Sequence, residues 1–345
     1  MKIRMIITSV GGLVAPNIIK SLKQDDIDDF YIVGVDMYKD AVGFYFTDAE
    51  YVVPPGNSEE YSKELFKIAK KEKIDIILPL SDEEVIALSK CKKKFRKEGI
   101  LIPCSEYKIV KISSNKSLTL KYLEEKGIDI PKYRVPHNIN ELKNDIFALG
   151  YPKEPVVFKP NCARGARGFW VINSNFSKEN MILYNRVRQT ISLEWLLESL
   201  KNINKFPEIL VMEYLPGKDF NVDVLAWHGD SIYIIPNERL VPNAGPVQVG
   251  LIKKDKKVQK IVKKIVKTFE FDYWINVEVA YSKEPNSRPL VYEINPRISA
   301  PILANKAAGI DLLKIGIKLA LGKKINRRLS FKETKMVRYW NEIFI

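Results

Sequence analysis

At 345 residues, 46% of them apolar, the chain has more core to build than one ordinary domain holds, and two or three modules around separate cores are expected. Two histidines, His137 and His228, and three scattered cysteines, Cys91, Cys104 and Cys162, exclude a Ser-His-Asp triad, a histidine-rich metal site, a zinc knuckle and a disulfide framework. The formal charge of +14 comes mostly from lysine runs such as Lys90 to Lys94 and Lys253 to Lys257, read as solvated faces; without interleaved aromatics they argue against a nucleic-acid partner, while a positive field favours anionic substrates such as nucleotides.

Chemistry is therefore left to carboxylates, lysines, arginines and backbone amides. The cysteines are expected to be buried bystanders in a reducing cytoplasm. Met1 to Val14 sets basic residues before an apolar stretch, but Gly11-Gly12 interrupts it and Ala15-Pro16 is a poor cleavage context; a buried strand and turn is expected rather than a leader.

The first stretch alternates apolar runs with amphipathic helices: a strand from Ile3 to Thr8, a helix near Pro16 to Leu22, a strand from Tyr31 to Val35, a helix from Glu59 to Lys71 and a strand from Ile74 to Pro79. That alternation predicts a parallel βαβ sheet. Ser9-Val10-Gly11-Gly12 sits where a dinucleotide turn would, and Asp36 where a ribose-binding acid would, yet the GxGxxG fingerprint is incomplete. A Rossmann-like domain that contributes to a substrate cleft is favoured over an NAD-binding one. Because ligands sit beyond the carboxyl ends of such strands, Gly11, Asp36, Asp82 and Glu83 are candidates for substrate contact, with helix capping as the alternative.

A second stretch opens at Ser113-Ser114-Asn115-Lys116, predicted to cap a helix that carries Lys116 in its first turn and runs to Glu125, before Gly127 and Pro131 end it. Val156 to Pro160 is predicted as a strand holding Lys159. The loop 161–168 leads to another strand from Phe169 to Ile172, and its Arg164, Gly165 and Gly168 suit a phosphate nest, with a basic hairpin turn as the alternative.

The third stretch begins with the apolar strand Ile209 to Met212 running into Glu213-Tyr214-Leu215-Pro216-Gly217-Lys218-Asp219, a hinge whose backbone suits a purine edge and whose Asp219 suits ribose hydroxyls; an ordinary strand and turn is the alternative. Val258 to Phe269 reads as a lysine-rich amphipathic helix. Two strands then carry Glu278 and the run Val291-Tyr292-Glu293-Ile294-Asn295-Pro296-Arg297. Residues two apart share a strand face, so Glu293 and Asn295 project together with Ile294 behind them. With Glu278 they offer magnesium its preferred hard oxygens, while solvated strand edges are the alternative. Leu312 to Leu321, broken by Lys314 and Lys318, is an amphipathic helix, and no segment approaches the length needed to cross a bilayer; a cytoplasmic protein is expected. The tail beyond Arg328 carries no clear signal.

In this order, Lys116, Lys159, the Gly165 loop, Glu213 to Asp219 and Glu278/Glu293/Asn295/Arg297 resemble the ATP-grasp superfamily over nearly the whole chain. The chain is most similar to the carbamoyl-phosphate-synthase-large-subunit-like branch with its stand-alone amino-acid ligases, a likeness strengthened by Asn305-Lys306-Ala307-Ala308-Gly309 and Leu319-Ala320-Leu321-Gly322. The resemblance implies an α/β fold, α+β in its ATP-grasp part: a Rossmann-like preATP-grasp domain over residues 1–112, a linker helix and lid over 113–212, and a C-terminal subdomain with the metal over 213–345.

It further implies ATP with magnesium, or manganese, as cofactors. Lys116, Lys159, Arg164, Gly165 and Gly168 would face the phosphates, Glu213, Tyr214 and Leu215 the adenine, and Asp219 the ribose. Glu278, Glu293 and Asn295 would hold the metal, Lys159 and Arg297 would stand at the transferred phosphoryl group, and Arg239 would face a substrate anion. The implied reaction joins a small carboxylate, an amino acid foremost, to an amine or thiol through an acyl phosphate, releasing ADP; many relatives are homodimers. The alternatives are a kinase or acyl-phosphate former that uses no amine, an ATP-binding regulatory subunit, and a dehydrogenase built on the first stretch. Two departures stand out: Ala166 within the loop, and Asp219 in place of a commoner, longer glutamate.

Overall fold

The computed structural model describes residues 2–24, 29–162, 168–177, 179, 189–241, 246–282 and 287–344. Its first unit is a parallel sheet in the order β3-β2-β1-β4, built from β1 (Ile3–Thr8), β2 (Phe30–Asp36), β3 (Ala49–Val52) and β4 (Ile76–Leu78). Helices α1 (Ala15–Lys23), α2 (Tyr61–Lys71) and α3 (Asp82–Lys97) pack on it. Both sheet faces are covered, which is why β1, β2 and β4 are near-continuous apolar runs. The lysine run at Lys90 to Lys94 lies on α3, as its composition suggested.

Helices α4 (Tyr107–Ser113) and α5 (Lys116–Glu125) follow. The Asn115 side chain accepts from the Leu118 N–H, so α5 begins where the capping signal placed it. The helix packs on the C-terminal unit: Leu123 joins the core around Phe220, Val262 and Ile294.

A second sheet, in the order β5-β9-β6-β7-β8, comprises β5 (Tyr133–Arg134), β6 (Val156–Pro160), β7 (Trp170–Ile172), β8 (Thr190–Ile191) and β9 (Ile209–Glu213). Helices α6 (Ile139–Ala148) and α7 (Leu193–Leu200) cover its outer face. Its inner face carries Val157, Leu210 and Met212, packed with Leu120 of α5.

The third sheet runs β14-β13-β10-β11-β12-β15, every pairing antiparallel. It is formed by β10 (Asp219–Trp227), β11 (Asp230–Arg239), β12 (Val249–Ile252), β13 (Tyr273–Tyr281), β14 (Pro289–Asn295) and β15 (Thr334–Val337). Helix α8 (Lys256–Phe269) covers one face. Helices α9 (Ile302–Ala307) and α10 (Leu312–Ala320) lie on the other, where their apolar residues merge with those of β1 and α1 into one core. Gly316 makes that contact close: a Cβ there would sit 2.1 Å from the Trp274 ring.

Two expectations are corrected. The tail beyond Arg328 is not featureless, since β15 pairs with β12 and forms an edge of the third sheet. Nor are all cysteines buried: Cys104 is, Cys91 is half-buried and Cys162 is exposed.

Candidate active site

A cleft of about 890 Å³ opens between the second and third sheets. The hinge Tyr214 to Asp219 lies along one side, and Lys116, Lys159, Glu278, Glu293, Asn295 and Arg297 line its polar end. Apolar side chains, among them Val157, Phe169 and Met212, line the rest.

The polar end is a consequence of strand register. Glu278 of β13 stands opposite Glu293 of β14, and Asn276 opposite Asn295, while Ile294 is buried in the core behind them. Alternation alone thus puts Glu293 and Asn295 on the cleft face. The Asn295 Nδ2 lies 3.4 Å from Glu278 Oε1. Between Glu278 and Val279 the register shifts, so that Val279 faces Val291 and Tyr292 is the extra residue of a bulge. Tyr292 therefore lines the cleft beside Glu293 instead of pointing away from it.

Two lysines meet one carboxylate. Lys116 Nζ is 3.5 Å from Glu293 Oε1, and Lys159 Nζ is 3.7 Å from Glu293 Oε2. Lys159 also donates to the Tyr292 carbonyl at 3.2 Å. Burial pulls the Lys159 ammonium down to about 8; Glu293 opposes that shift and the nearby Lys116 adds to it.

The other carboxylates share a second cation. Arg239, on β11, sends Nη2 to Glu278 Oε2 at 3.1 Å and Nε to Asp219 Oδ2 at 3.2 Å. Burial works against this guanidinium, but Glu278, Tyr292, Asp219 and Glu293 together outweigh it and hold Arg239 above its ordinary range. Burial also raises the Asp219 carboxyl, against the pull of Arg239. The Tyr292 hydroxyl is 2.9 Å from both Asp219 Oδ1 and Glu278 Oε2. Arg239 is thus engaged with two carboxylates of the site, whereas the sequence reading had it facing a substrate anion.

Arg297 reaches across to the first unit. Its Nε donates to Asp82 Oδ1 at 2.8 Å, so Asp82, the first residue of α3, touches the cleft through Arg297. The remaining first-unit candidates do not line the cleft. Asp36 accepts from the Gly11 N–H at 2.8 Å and the Tyr38 N–H at 3.0 Å, which ties the turn after β1 to the end of β2. Glu83 lies in the first turn of α3, outside the cleft lining.

The Glu213 side chain turns away to accept from the Lys132 N–H at 2.8 Å, leaving Met212, Tyr214 and Leu215 to line the hinge side. Arg164 and Gly165 lie outside the described residues. Gly168 has φ +70, and a Cβ there would meet Pro160 Cγ at 2.7 Å, so this position requires glycine on two counts.

Sequence reasoning missed two parts of the site. Tyr292 was masked because period-2 alternation assigns it to the far face, and nothing local announces the bulge. The buried amides behind the carboxylates were also missed: Asn276 and Asn221 exchange hydrogen bonds of 3.0 and 2.8 Å, and Asp223 accepts from Asn276 at 3.1 Å and from Asn305 at 2.7 Å. Their signal was a run of polar residues in strands otherwise reading as core.

Glu278, Glu293 and Asn295 fit a hard divalent cation. They present two carboxylates and one amide with no nitrogen or sulfur donor, and they face open cleft with room for the phosphate oxygens and water that would complete a shell. Among the described residues no cluster of three histidine, cysteine or acidic side chains is placed to hold a metal.

The fold is the ATP-grasp fold. The chain carries an ATP-grasp domain behind a PylC-like N-terminal domain: residues 205–343 match the family described as ATP-grasp in the biosynthetic pathway with Ter operon, and residues 5–103 match the PylC-like N-terminal domain. It is homologous to carbamoyl phosphate synthase large chains, 24% identical over 294 residues to that of Pseudothermotoga lettingae and 26% over 239 residues to that of Archaeoglobus fulgidus. These alignments cover 81% and 66% of this chain but only 24% and 20% of those proteins, so the chain spans about a quarter of their length or less.

Among solved structures it is similar to N5-carboxyaminoimidazole synthetase from Staphylococcus aureus complexed with ADP, with a TM-score of 0.73 at 16% identity, covering 98% of this chain and 83% of that one. The biotin carboxylase domain of 2-oxoglutarate carboxylase from Hydrogenobacter thermophilus gives 0.68 at 16% identity, covering 95% and 71%. The L-amino acid ligase from Bacillus licheniformis gives 0.64 at 14% identity, covering 92% and 74%. The match confirms the ATP-grasp fold read from the ordered motifs.

Proposed function

We propose that this cleft binds ATP with a divalent metal and activates a small carboxylate for ligation, with ADP released. The carrying observation is the convergence of Lys116 and Lys159 on Glu293, opposite Glu278 and beside Asn295 and Arg297, in a cleft walled by two sheets. The apolar strip of Val157, Phe169 and Met212 suits a purine, with hinge backbone at its edge. Asp219 faces the ribose, and Lys116 and Lys159 face the phosphates, where a phosphate's charge replaces that of Glu293.

Glu278, Glu293 and Asn295 would hold magnesium, or manganese, which when bound would neutralise the phosphate oxygens of the nucleotide. A carboxylate oxygen of the substrate attacks the γ-phosphorus, the bond from that phosphorus to the bridging oxygen breaks, and ADP leaves. Lys159 and Arg297 balance charge on the transferred group; the contribution is positioning and electrostatics, with no covalent enzyme intermediate. The acyl carbon is then attacked by an amine nitrogen, phosphate departs with the C–O electron pair, and the nitrogen loses a proton. Closure of the second sheet over the cleft would exclude water from the acyl phosphate. An amino acid is the leading carboxylate, a reading supported by the likeness in fold to an L-amino acid ligase.

The test is metal-dependent ADP release with pooled amino acids and small carboxylates, in wild type and Glu293→Gln. The expected outcome is substrate-stimulated release that falls about 100-fold or more in the folded variant. Undiminished activity in Glu293→Gln would overturn the site.

A further inference from the structure

Tyr292 is not used by the mechanism above, yet its hydroxyl occupies the centre of the polar cluster. The bulge in β14 turns it onto the cleft face, and its oxygen is 2.9 Å from Asp219 on one side and 2.9 Å from Glu278 on the other. These carboxylates come from different strands and, on the reading above, serve opposite ends of the nucleotide: Asp219 the sugar, Glu278 the metal. Arg239 pairs with the same two groups. We propose that Tyr292 is a positioning residue that couples the two ends, so that a divalent cation at Glu278 strengthens the hold of Asp219 on the nucleoside.

The argument rests on proton count. A phenolic hydroxyl has one proton and can donate to only one of two carboxylates at a time. A phenol is protonated at neutral pH and so is a donor there. Without metal the proton is divided between two acceptors. A cation on Glu278 takes over that carboxylate's charge compensation, and the hydroxyl is released to Asp219, where it fixes the acid as an acceptor facing the cleft. Because coupling of this kind is reciprocal, nucleotide must strengthen metal binding by the same factor.

The proposal depends on the nucleotide-and-metal reading, and its test separates the two by needing no turnover and no substrate. ADP affinity is measured by calorimetry on the full chain, with and without Mn2+, in wild type and Tyr292→Phe. The ring of phenylalanine fills the same place, and unfolding midpoints check that both proteins are folded. If the phenylalanine variant does not fold, Tyr292→Leu, which also removes the hydroxyl, is read in the same way.

The expected result is ADP affinity within about twofold of wild type in the absence of metal, and a gain on adding Mn2+ that is about tenfold smaller than in wild type, the size of a hydrogen bond to a charged group. An equal loss with and without Mn2+ would mean that Tyr292 serves the nucleotide or the fold alone, and an unchanged gain would mean no coupling; either overturns the proposal while leaving the site reading in place. Failure of wild type to bind ADP under both conditions would overturn both.

Discussion

A single acid shows how burial sets chemistry in this chain. Glu84 of α3 is enclosed against β1, where its carboxylate accepts from the Thr8 hydroxyl and from the Ser81 N–H. Burial raises its pKa from 4.5, against the pull of these donors. An acid raised on folding binds its proton more tightly in the native state, so stability falls as pH climbs from the unfolded value through the folded one. The cost is absent below about pH 4.5 and grows as the pH rises above it. Glu84→Gln is therefore expected to raise the unfolding free energy at pH 7, with the gain vanishing as denaturation is repeated toward pH 4. At the site itself, residue-level reading reached Glu293 and Asn295 because they obey strand alternation. It failed at Tyr292, where an inserted residue breaks the alternation, and at Glu213, whose chain position at the hinge was right but whose carboxylate is spent on Lys132.

Elements were legible where ends and faces carry chemistry. The predicted helix at Lys116 began on its asparagine cap, and the strand Val156 to Pro160 was read to the residue because a short β-branched run ended in proline. Strands β11, β12 and β15 were not read, since each is short or mixed in polarity and owes its existence to the neighbour it pairs with. Helix α8 shows what a cap contributes beyond its helix. Asp255 accepts from the Val258 N–H at 3.0 Å and also from the Tyr281 hydroxyl at 2.9 Å, tying the start of α8 to the end of β13. Asp255→Ala should lower the unfolding free energy by about 1–2 kcal/mol in urea titrations, because it orphans one backbone and one phenolic donor. A change below a few tenths would show that the cap is redundant.

The whole molecule is held together by its first unit's contact with the third sheet. The residues of β1 and α1 share a core with Ile298, Ile302 and Leu313, and Asp82 bonds Arg297 at the cleft. This explains why the first-unit candidates divided as they did. Glycine and acid signals at strand ends identify positions that could face a ligand, but only tertiary packing decides which of them reaches a cleft that lies between two other sheets. Asp82 reaches it through Arg297, while Gly11 and Asp36 satisfy each other. The order of motifs along the chain, by contrast, survives folding, and for that reason the ATP-grasp architecture was readable when individual contacts were not.

The central claim is that a carboxylate is activated by phosphoryl transfer in this cleft, and trapping with hydroxylamine tests it most directly. The protein is incubated with ATP, Mg2+, pooled amino acids and small carboxylates, and hydroxylamine, and hydroxamate, ADP and AMP are quantified together. The account predicts hydroxamate and ADP in equal amounts, both dependent on carboxylate and Mg2+. AMP with pyrophosphate in place of ADP, or ADP formed with carboxylate but without hydroxamate, would contradict it.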